Sequence, residues 1–180
     1  KPFSIISIDM DTNELFIAVK INGKFTSRLR SSMSGTILET FGPYGRFILQ
    51  EKNADNILIA GGIGITPLYS MIANAEIGSE KRLHLFYSAP KKEDMAFYHD
   101  LKRINNSKIS INYFFTQEIK AEEKDEFNRR VDAGIVREKA KEFTSAAFYI
   151  CGPNSMVTSI KSQLLSTGIS ADAIKTEEFS

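Results

Sequence analysis

The chain has 180 residues, of which 42% are hydrophobic and 25% are charged, and its formal net charge is +1. These values are typical of one large or two small globular domains, and the near-zero charge provides no field that would attract nucleic acid. No apolar run approaches the ~20 residues of a membrane span, and no signal peptide is apparent. One cysteine and two histidines exclude an internal disulfide, indicate no metal site and favour a cytoplasmic protein.

The first 50 residues have the character of β structure. Strands are predicted at Phe3–Ile8, at Leu15–Ile21 and at Thr36–Phe41, the last of which alternates, and Phe25–Arg30 fits a short helical turn. Three short antiparallel strands are too few to close a barrel, so we expect this half to be part of a larger module. The chain begins in a strand-like stretch without a methionine, and we expect its start to be trimmed or cleaved.

From about residue 54 onward, predicted strands alternate with predicted helices. This alternation predicts parallel strands joined by right-handed crossovers, in a doubly wound sheet that binds its ligand beyond the carboxyl ends of the strands. The charged segment Gln117–Arg130 is most simply a solvated loop. The predicted strands are Ile57–Ala60, Arg82–Tyr87, Ile109–Phe115, Ala147–Cys151 and Ile174–Glu177, and the predicted helices are Pro67–Asn74, Asp94–Ile104, Val136–Glu142 and Ser155–Thr167.

The stretch Asn56–Pro67 combines the features of a phosphate-binding turn. An uninterrupted apolar run indicates a strand buried on both faces, and a glycine-rich turn and a helix start follow it. Glycine allows close approach of the backbone, and a helix N-terminus presents unpaired N–H groups and a positive dipole end. The alternative is a tight turn between two packed elements. The residues concerned are Gly61, Gly62, Gly64, Thr66 and Pro67.

A second strand, Ala147–Cys151, also ends in a turn, Gly152-Pro153, that precedes a predicted helix. A lone cysteine at a strand end is usually a small buried hydrophobic residue. Here, however, Cys151 is expected to lie beside the glycine turn at the crevice, which makes it a candidate site residue.

Seven segments together resemble the ferredoxin–NADP reductase superfamily over nearly the whole chain. Three match its pyridine-nucleotide domain, and four match its flavin motif, flavin-phosphate segment, closing barrel strand and Glu-x-aromatic end. In that order the segments are Gly61–Pro67, Tyr87–Ala89, Cys151–Pro153, Lys1–Ser4, Gly23–Thr26, Gly42–Phe47 and Glu177–Phe179.

The resemblance implies an α/β plus β fold. Residues 1–52 would be the C-terminal part of an antiparallel FAD-binding barrel, and residues 53–180 a five-stranded, doubly wound NAD(P)-binding domain. It further implies that FAD, less often FMN, sits on the barrel and receives hydride from NAD(P)H.

The resemblance also implies roles for residues around the flavin. Phe3 would lie against the isoalloxazine, although it could equally be a core aromatic, and Ser4 would hydrogen-bond near flavin N5. Lys1 stands where the family prefers an arginine on the pyrophosphate. Glu178, a candidate proton group, and Phe179 would border the ring. The segment implied to hold the flavin phosphates is Gly23, Lys24, Phe25 and Thr26.

On the nucleotide side, the resemblance implies that the glycine turn cradles the pyrophosphate. Cys151 would lie near the nicotinamide C4, in a pocket shaped by Gly152 and Met156, and Ser88 would approach the adenosine ribose. Many members carry an arginine two residues after that serine, whereas this chain has Pro90 followed by Lys91 and Lys92. Lysines can attract a 2′-phosphate as point charges but are usually only solvated, so NADH and NADPH both stay open.

The implied function is that of a flavin-dependent oxidoreductase that passes electrons from NAD(P)H to a one-electron carrier, an oxygenase or a hydrogenase-type partner. An alternative is a nucleotide-binding regulatory or electron-transfer subunit of a larger complex that holds no stable flavin. Flavin absorbance that is bleached by NAD(P)H would separate the two.

Overall fold

The N-terminal part of the computed structural model is a small antiparallel β-hairpin followed by one helix. Strands β1 (Ile5–Asp9) and β2 (Glu14–Ile17) pair antiparallel with a register shift between Ile5 and Ser7, and helix α1 (Lys24–Ser31) follows. Two strands alone are only marginally stable in water. The structure describes residues 1–50, 55–75, 82–117, 121, 123–139 and 146–179.

The rest of the described chain builds a six-stranded, wholly parallel sheet in the order β6-β5-β4-β3-β7-β8. The five predicted strands are all present, which confirms the α/β unit, and the sheet gains one short edge strand. Because the order reverses beside β3, loops from both directions converge at the carboxyl ends of β3 and its neighbours. The strands are β3 (Asp55–Gly61), β4 (Arg82–Ala89), β5 (Ile109–Phe115), β6 (Glu126–Phe127), β7 (Ala146–Gly152) and β8 (Ile174–Glu178).

Helices cover both faces of the sheet. On one face α2 and α3 enclose a core that includes Leu58, Leu85 and Tyr87. On the other face α4 and α5 pack over alternate strand residues such as Ile59 and Phe86. All seven residues of β3 are buried, as expected for the central strand of a parallel sheet covered on both sides. The helices are α2 (Ile65–Ala73), α3 (Tyr98–Lys102), α4 (Ala133–Lys139) and α5 (Asn154–Ser166).

Two predicted elements differ from the structure. The predicted strand Thr36–Phe41 is wrong, because this stretch is exposed, lacks regular structure and pairs with no other described segment. The predicted helix Asp94–Ile104 is interrupted. Its start is a 3₁₀ turn, and Phe97 adopts a left-handed conformation (φ 60°) just before α3. The Phe97 ring stacks on Tyr69 of α2 with 4.2 Å between centroids, so tertiary packing overrides the local helical pattern.

The segment Gln117–Arg130 is not merely a solvated loop. Within its described residues it contains β6, whose Glu126 is only 5% exposed. Two residues are too short for a periodic signal to reveal a strand. Residues 118–120 and 122 of this segment, and the end of the predicted helix Val136–Glu142, lie outside the described residues.

Several contacts connect the first 50 residues to the described part of the α/β unit, and strand β1 lies against helix α2. The backbone N–H of Gln50 donates to the Tyr149 hydroxyl at 2.9 Å, and the Phe47 ring meets the Tyr149 ring edge-on at 5.8 Å. The Asn74 side chain, at the end of α2, donates to the carbonyl of Ile6. No described helix is both long and apolar enough to cross a membrane.

We expect Asp132→Ala to destabilise the protein by about 1 kcal/mol at pH 7. The Asp132 carboxylate accepts the N–H of Ile135 at 2.9 Å in the first turn of α4, and this bond, aided by Arg129, lowers the pKa of Asp132 below its usual value. A lowered pKa contributes stability above the unfolded-state pKa and loses it as the pH falls through the folded-state pKa. Urea unfolding at pH 7 and pH 3 measures the difference.

Asp172→Ala is the matched control, because this exposed aspartate lies in a 3₁₀ turn that is capped by the side chain of Ser170 rather than by its own carboxylate. An Asp132→Ala penalty of the same size at both pH values would contradict the role of the carboxylate.

Candidate functional site

Two glycine-containing turns meet at the carboxyl edge of the sheet. One links β3 to α2 through a 3₁₀ turn at Gly62–Gly64, and the other links β7 to α5 through Gly152 and Pro153. Because β3 and β7 are parallel neighbours, with Ala60 opposite Cys151, the two turns lie side by side. The predicted convergence of Gly61–Thr66 and Cys151–Asn154 is therefore confirmed by the sheet register.

Three of the glycines are required by the contact between these turns. A Cβ on Gly64 would lie 2.3 Å from the carbonyl oxygen of Cys151, and a Cβ on Gly61 would lie 2.6 Å from the sulfur of Met156. Gly152 is similarly enclosed, with the Gly61 Cα 3.0 Å from its added Cβ. These distances are shorter than van der Waals contact, so only glycine lets the turns approach this closely.

Gly62 differs from the other three glycines. Its φ is +53°, and a Cβ placed there would have no heavy atom within 4 Å. Its backbone therefore faces open space at the start of the turn that leads into α2. A ligand can therefore approach the main chain here, close to a helix N-terminus.

The sequence predicts a helix start at Thr66 and Pro67, and the observed helix begins slightly earlier. Helix α2 begins at Ile65, and both residues are buried in its first turn. The Thr66 hydroxyl donates to the carbonyl of Ile63 at 3.1 Å, so the side chain braces the turn. Differences of one or two residues at a helix end are ordinary.

Cys151 and Glu177 form a pair beneath the two turns. They are register partners on β7 and β8, and register partners in a parallel sheet lie side by side on the same face. The Cys151 thiol is fully buried, and burial, followed by the charge of Glu177, raises its pKa. Burial also raises the pKa of Glu177. The thiol is therefore uncharged at neutral pH, and the carboxyl retains its proton to a higher pH than a free glutamate.

Glu178 points to the opposite face of the sheet from Cys151. Its carboxylate accepts a hydrogen bond from the Asn154 side chain, at the start of α5. The next residue, Phe179, returns to the Cys151 side, where its N–H donates to the carbonyl of Gly152 at 3.1 Å and its ring packs against the core there. The glutamate on the same face as Cys151 is thus Glu177. The alternation of strand side chains, counted from Cys151, was the signal that could have found it.

Ser88 and Lys91 lie at the carboxyl end of β4. Ser88 is half-buried and Lys91 is exposed. The loop between them is fixed to the end of β5, because the N–H groups of Thr116 and Gln117 donate to the carbonyls of Ala89 (3.1 Å) and Pro90 (2.9 Å).

Two of the residues expected at the flavin, Glu178 and Phe179, lie at the end of β8, and the others belong to the N-terminal part of the chain. Phe3 stacks on Phe25 with 6.2 Å between ring centroids. The Thr26 hydroxyl accepts the N–H of Asn22 at 2.7 Å and donates to the Gly23 carbonyl at 3.2 Å, so it holds the turn before the helix. Lys1 and Lys24 are exposed, and Ser4 is half-buried.

A family model described as the oxidoreductase NAD-binding domain matches residues 58–162. This span is more than half of the chain and contains both turns, so the chain belongs to the oxidoreductase NAD-binding domain family. The expected resemblance to ferredoxin–NADP reductases is confirmed at the level of the fold.

Two curated relatives and one solved structure illustrate the similarity. The chain is 28% identical to the sulfhydrogenase 2 subunit gamma of Pyrococcus furiosus, covering 88% of this chain and 59% of the relative. It is 25% identical to the toluate 1,2-dioxygenase electron transfer component of Pseudomonas putida, covering 99% and 54%. A ferredoxin NADP⁺ reductase from Neisseria gonorrhoeae with bound FAD and NADP superposes with a TM-score of 0.76 at 20% identity, covering 98% of this chain and 78% of that structure. The chain thus spans about half the length of the curated relatives it matches.

Alanine substitutions should distinguish the two kinds of glycine in the turn. Gly64→Ala forces a methyl group into the Cys151 carbonyl, and we expect a loss of about 3 kcal/mol of unfolding free energy. Gly62→Ala adds a methyl group in open space, and its positive φ alone costs about 1 kcal/mol. Chemical denaturation measures both, and equal losses would contradict the packing argument.

Proposed function

We propose that this chain is the nucleotide-binding part, with some of the flavin-binding part, of an NAD(P)H-dependent flavin oxidoreductase. The observation that carries the proposal is the pair of turns at the ends of β3 and β7. They leave the Gly62 backbone open at a helix start, at the end of the sheet where buried Cys151 and half-buried Glu177 are register partners.

The residues at the nucleotide site have separate roles in this proposal. The open backbone at Gly62 and the first turn of α2 hold the pyrophosphate, since N–H groups and the helix dipole favour an anion. Gly61, Gly64 and Gly152 act indirectly, by bringing the two turns together. Ser88 hydrogen-bonds the adenosine ribose.

The nicotinamide would lie against the β7 turn. Met156, beside Gly61 and Gly152, lines that turn with an apolar side chain, and the fully buried, uncharged Cys151 adds no charge beneath it. Glu177, with its raised pKa, is the group that can hold a proton beside the reacting ring. Phe179 closes the site from the end of β8. Glu178 lies on the opposite face of the sheet, and its role beside the flavin stays a prediction from the sequence.

We propose that residues 1–52 are the C-terminal part of an FAD-binding barrel and residues 53–180 the NAD(P)-binding domain. The surface of the first part supports this division, because many of its large apolar side chains are exposed although the composition is that of a folded domain. Among them are Met10 (81%), Met33 (82%), Ile37 (94%), Phe41 (77%), Tyr44 (87%) and Ile48 (68%).

The flavin residues of the proposal are those around α1. The Gly23–Phe25 backbone and Lys1 face the flavin phosphates, and Thr26 shapes that turn. Phe3 and Ser4 line the ring. FAD, when bound, accepts hydride from NAD(P)H and releases its electrons singly; FMN is the less favoured flavin.

We further propose that the electrons pass to a one-electron carrier protein or to an oxygenase- or hydrogenase-type partner subunit. The two relatives described above, one a hydrogenase subunit and one a dioxygenase electron transfer component, support this class of partner. A cytoplasmic location belongs to the same proposal, because NAD(P)H is the electron donor.

The decisive experiment is flavin loading of the full-length protein. We expect visible flavin absorbance that NADH or NADPH bleaches under anaerobic conditions. A colourless protein that cannot be loaded with FAD, yet binds nucleotide, would instead support the regulatory-subunit alternative.

Glu177→Gln should slow flavin reduction at least about tenfold, because loss of a proton-holding group near the reacting atoms typically costs this much or more. Glu178→Gln, the matched control on the opposite face, should stay within about twofold of the wild type. Stopped-flow reduction by NAD(P)H measures both. The reverse ranking would show that the acid in the site is Glu178.

Thermal unfolding distinguishes this effect from damage to the fold. The raised pKa of Glu177 means that the folded state binds its proton more tightly than the unfolded chain, so its charged form opposes folding as the pH rises through the unfolded-state pKa. Glu177→Gln should therefore be at least as stable as the wild type at pH 7, with no gain below pH 4. A large destabilisation at pH 7 would contradict this assignment.

A further inference from the structure

A buried carboxylate, Glu126, organises the outer end of the sheet. Its side chain is 1% exposed and accepts the Tyr98 hydroxyl at 2.8 Å. The backbone N–H of Glu123 approaches its other oxygen at 3.3 Å. A buried charge requires a compensating partner of opposite charge, because desolvation of an uncompensated ion is very costly.

That partner is Lys92, from the loop that follows β4. The Lys92 ammonium lies 3.0 Å from the Glu126 carboxylate and 5.1 Å from the centre of the Tyr98 ring. The buried Glu126 carboxylate and the Tyr98 ring therefore hold this ammonium. A lysine in such a pair is much less available to a ligand than an exposed one.

The pair also lies on the wrong face of the sheet for the ribose site. Glu126 is in register with Tyr113, and Tyr113 with Tyr87, so all three share the face covered by α2 and α3. Ser88 alternates with Tyr87 and is in register with Phe114, which packs on the other face. Lys92 is thus turned away from the side on which Ser88 would meet the ribose.

The remaining charges of the loop do not favour an additional anion. Lys91 is exposed, but it is followed by exposed Glu93 and Asp94. With the Lys92–Glu126 pair neutralised internally, these described residues present one cation and two carboxylates. The 2′-phosphate of NADPH adds close to two negative charges, as phosphate monoesters do at pH 7, whereas NADH presents an uncharged 2′-hydroxyl.

We infer that the site selects NADH over NADPH, and that Glu126 is the positioning residue responsible, because it withholds Lys92 from the 2′ position. This inference rests on the proposed function and specifies its electron donor. Glu126 does not touch the nucleotide; it acts through Lys92.

Equilibrium binding tests the inference without any flavin chemistry. Isothermal titration of the full chain with NAD⁺ and NADP⁺ should give about tenfold or more tighter binding of NAD⁺. Glu126→Gln removes one negative charge and releases Lys92, so the affinity for NADP⁺ relative to NAD⁺ should rise about three- to tenfold.

Two further variants make the test specific. Glu123→Gln removes a nearby carboxylate that pairs with Lys102 at 2.8 Å and leaves the Lys92–Glu126 pair intact, so the affinity ratio should stay within about twofold of the wild type. The double variant Lys92→Gln/Glu126→Gln removes both charges together and should also keep the wild-type ratio. The double variant still tests whether Lys92 contributes to NADP⁺ binding if Glu126→Gln alone fails to fold.

The possible results separate the two levels of the proposal. NADP⁺ binding as tight as NAD⁺ binding, a folded Glu126→Gln with an unchanged ratio, or a double variant whose NADP⁺ affinity alone falls would overturn the inference and leave the proposed function intact. Failure of both dinucleotides to bind the folded wild-type chain would overturn the proposed function, and the inference with it.

Discussion

The close approach of the β3 and β7 turns is the constraint on which the site depends. Adjacent parallel strands place the turns side by side, and the absence of side chains at Gly61, Gly64 and Gly152 lets their backbones touch. A Cβ at Gly64 would collide with a backbone carbonyl, which no rotamer change can relieve. This contact orients the start of α2 and of α5 toward one crevice and leaves the Gly62 backbone as its open part.

Strand register then determines which side chains reach that crevice. A single row crosses the whole sheet on the α2–α3 face, because each pair of neighbouring strands places register partners side by side. At one end the row brings Glu177 beside Cys151, and at the other it brings Glu126 beside Tyr113. Glu177 lies on the same face as Cys151, whereas Glu126 forms an ion pair with Lys92. Two glutamates in one row therefore have different surroundings, which their positions in the sheet determine.

The first 50 residues stand in contrast to this well-packed unit. Their hairpin pairs with no other described strand, and they contact the α/β unit through Gln50, Phe47 and Asn74 and through the packing of β1 against α2. Most of the exposed large apolar side chains among the described residues belong to this part. A surface of this kind has a high free energy in water and favours association with further structure, consistent with the proposed place of these residues in a flavin barrel.

By itself the sequence determined the alternation of strands and helices, the glycine turn before α2 and the position of Cys151 at a strand end. Each of these features depends on a local pattern of apolar, glycine and capping residues. It could not reveal β6, which is too short to show any periodicity. Nor could it show that the alternating stretch Thr36–Phe41 forms no strand, because a strand requires a neighbouring strand to pair with. Only the tertiary structure decided that Glu177 rather than Glu178 faces Cys151, and that Lys92 is bound to Glu126. Both outcomes depend on which residues distant in sequence become neighbours across the sheet, and a local pattern does not carry that information.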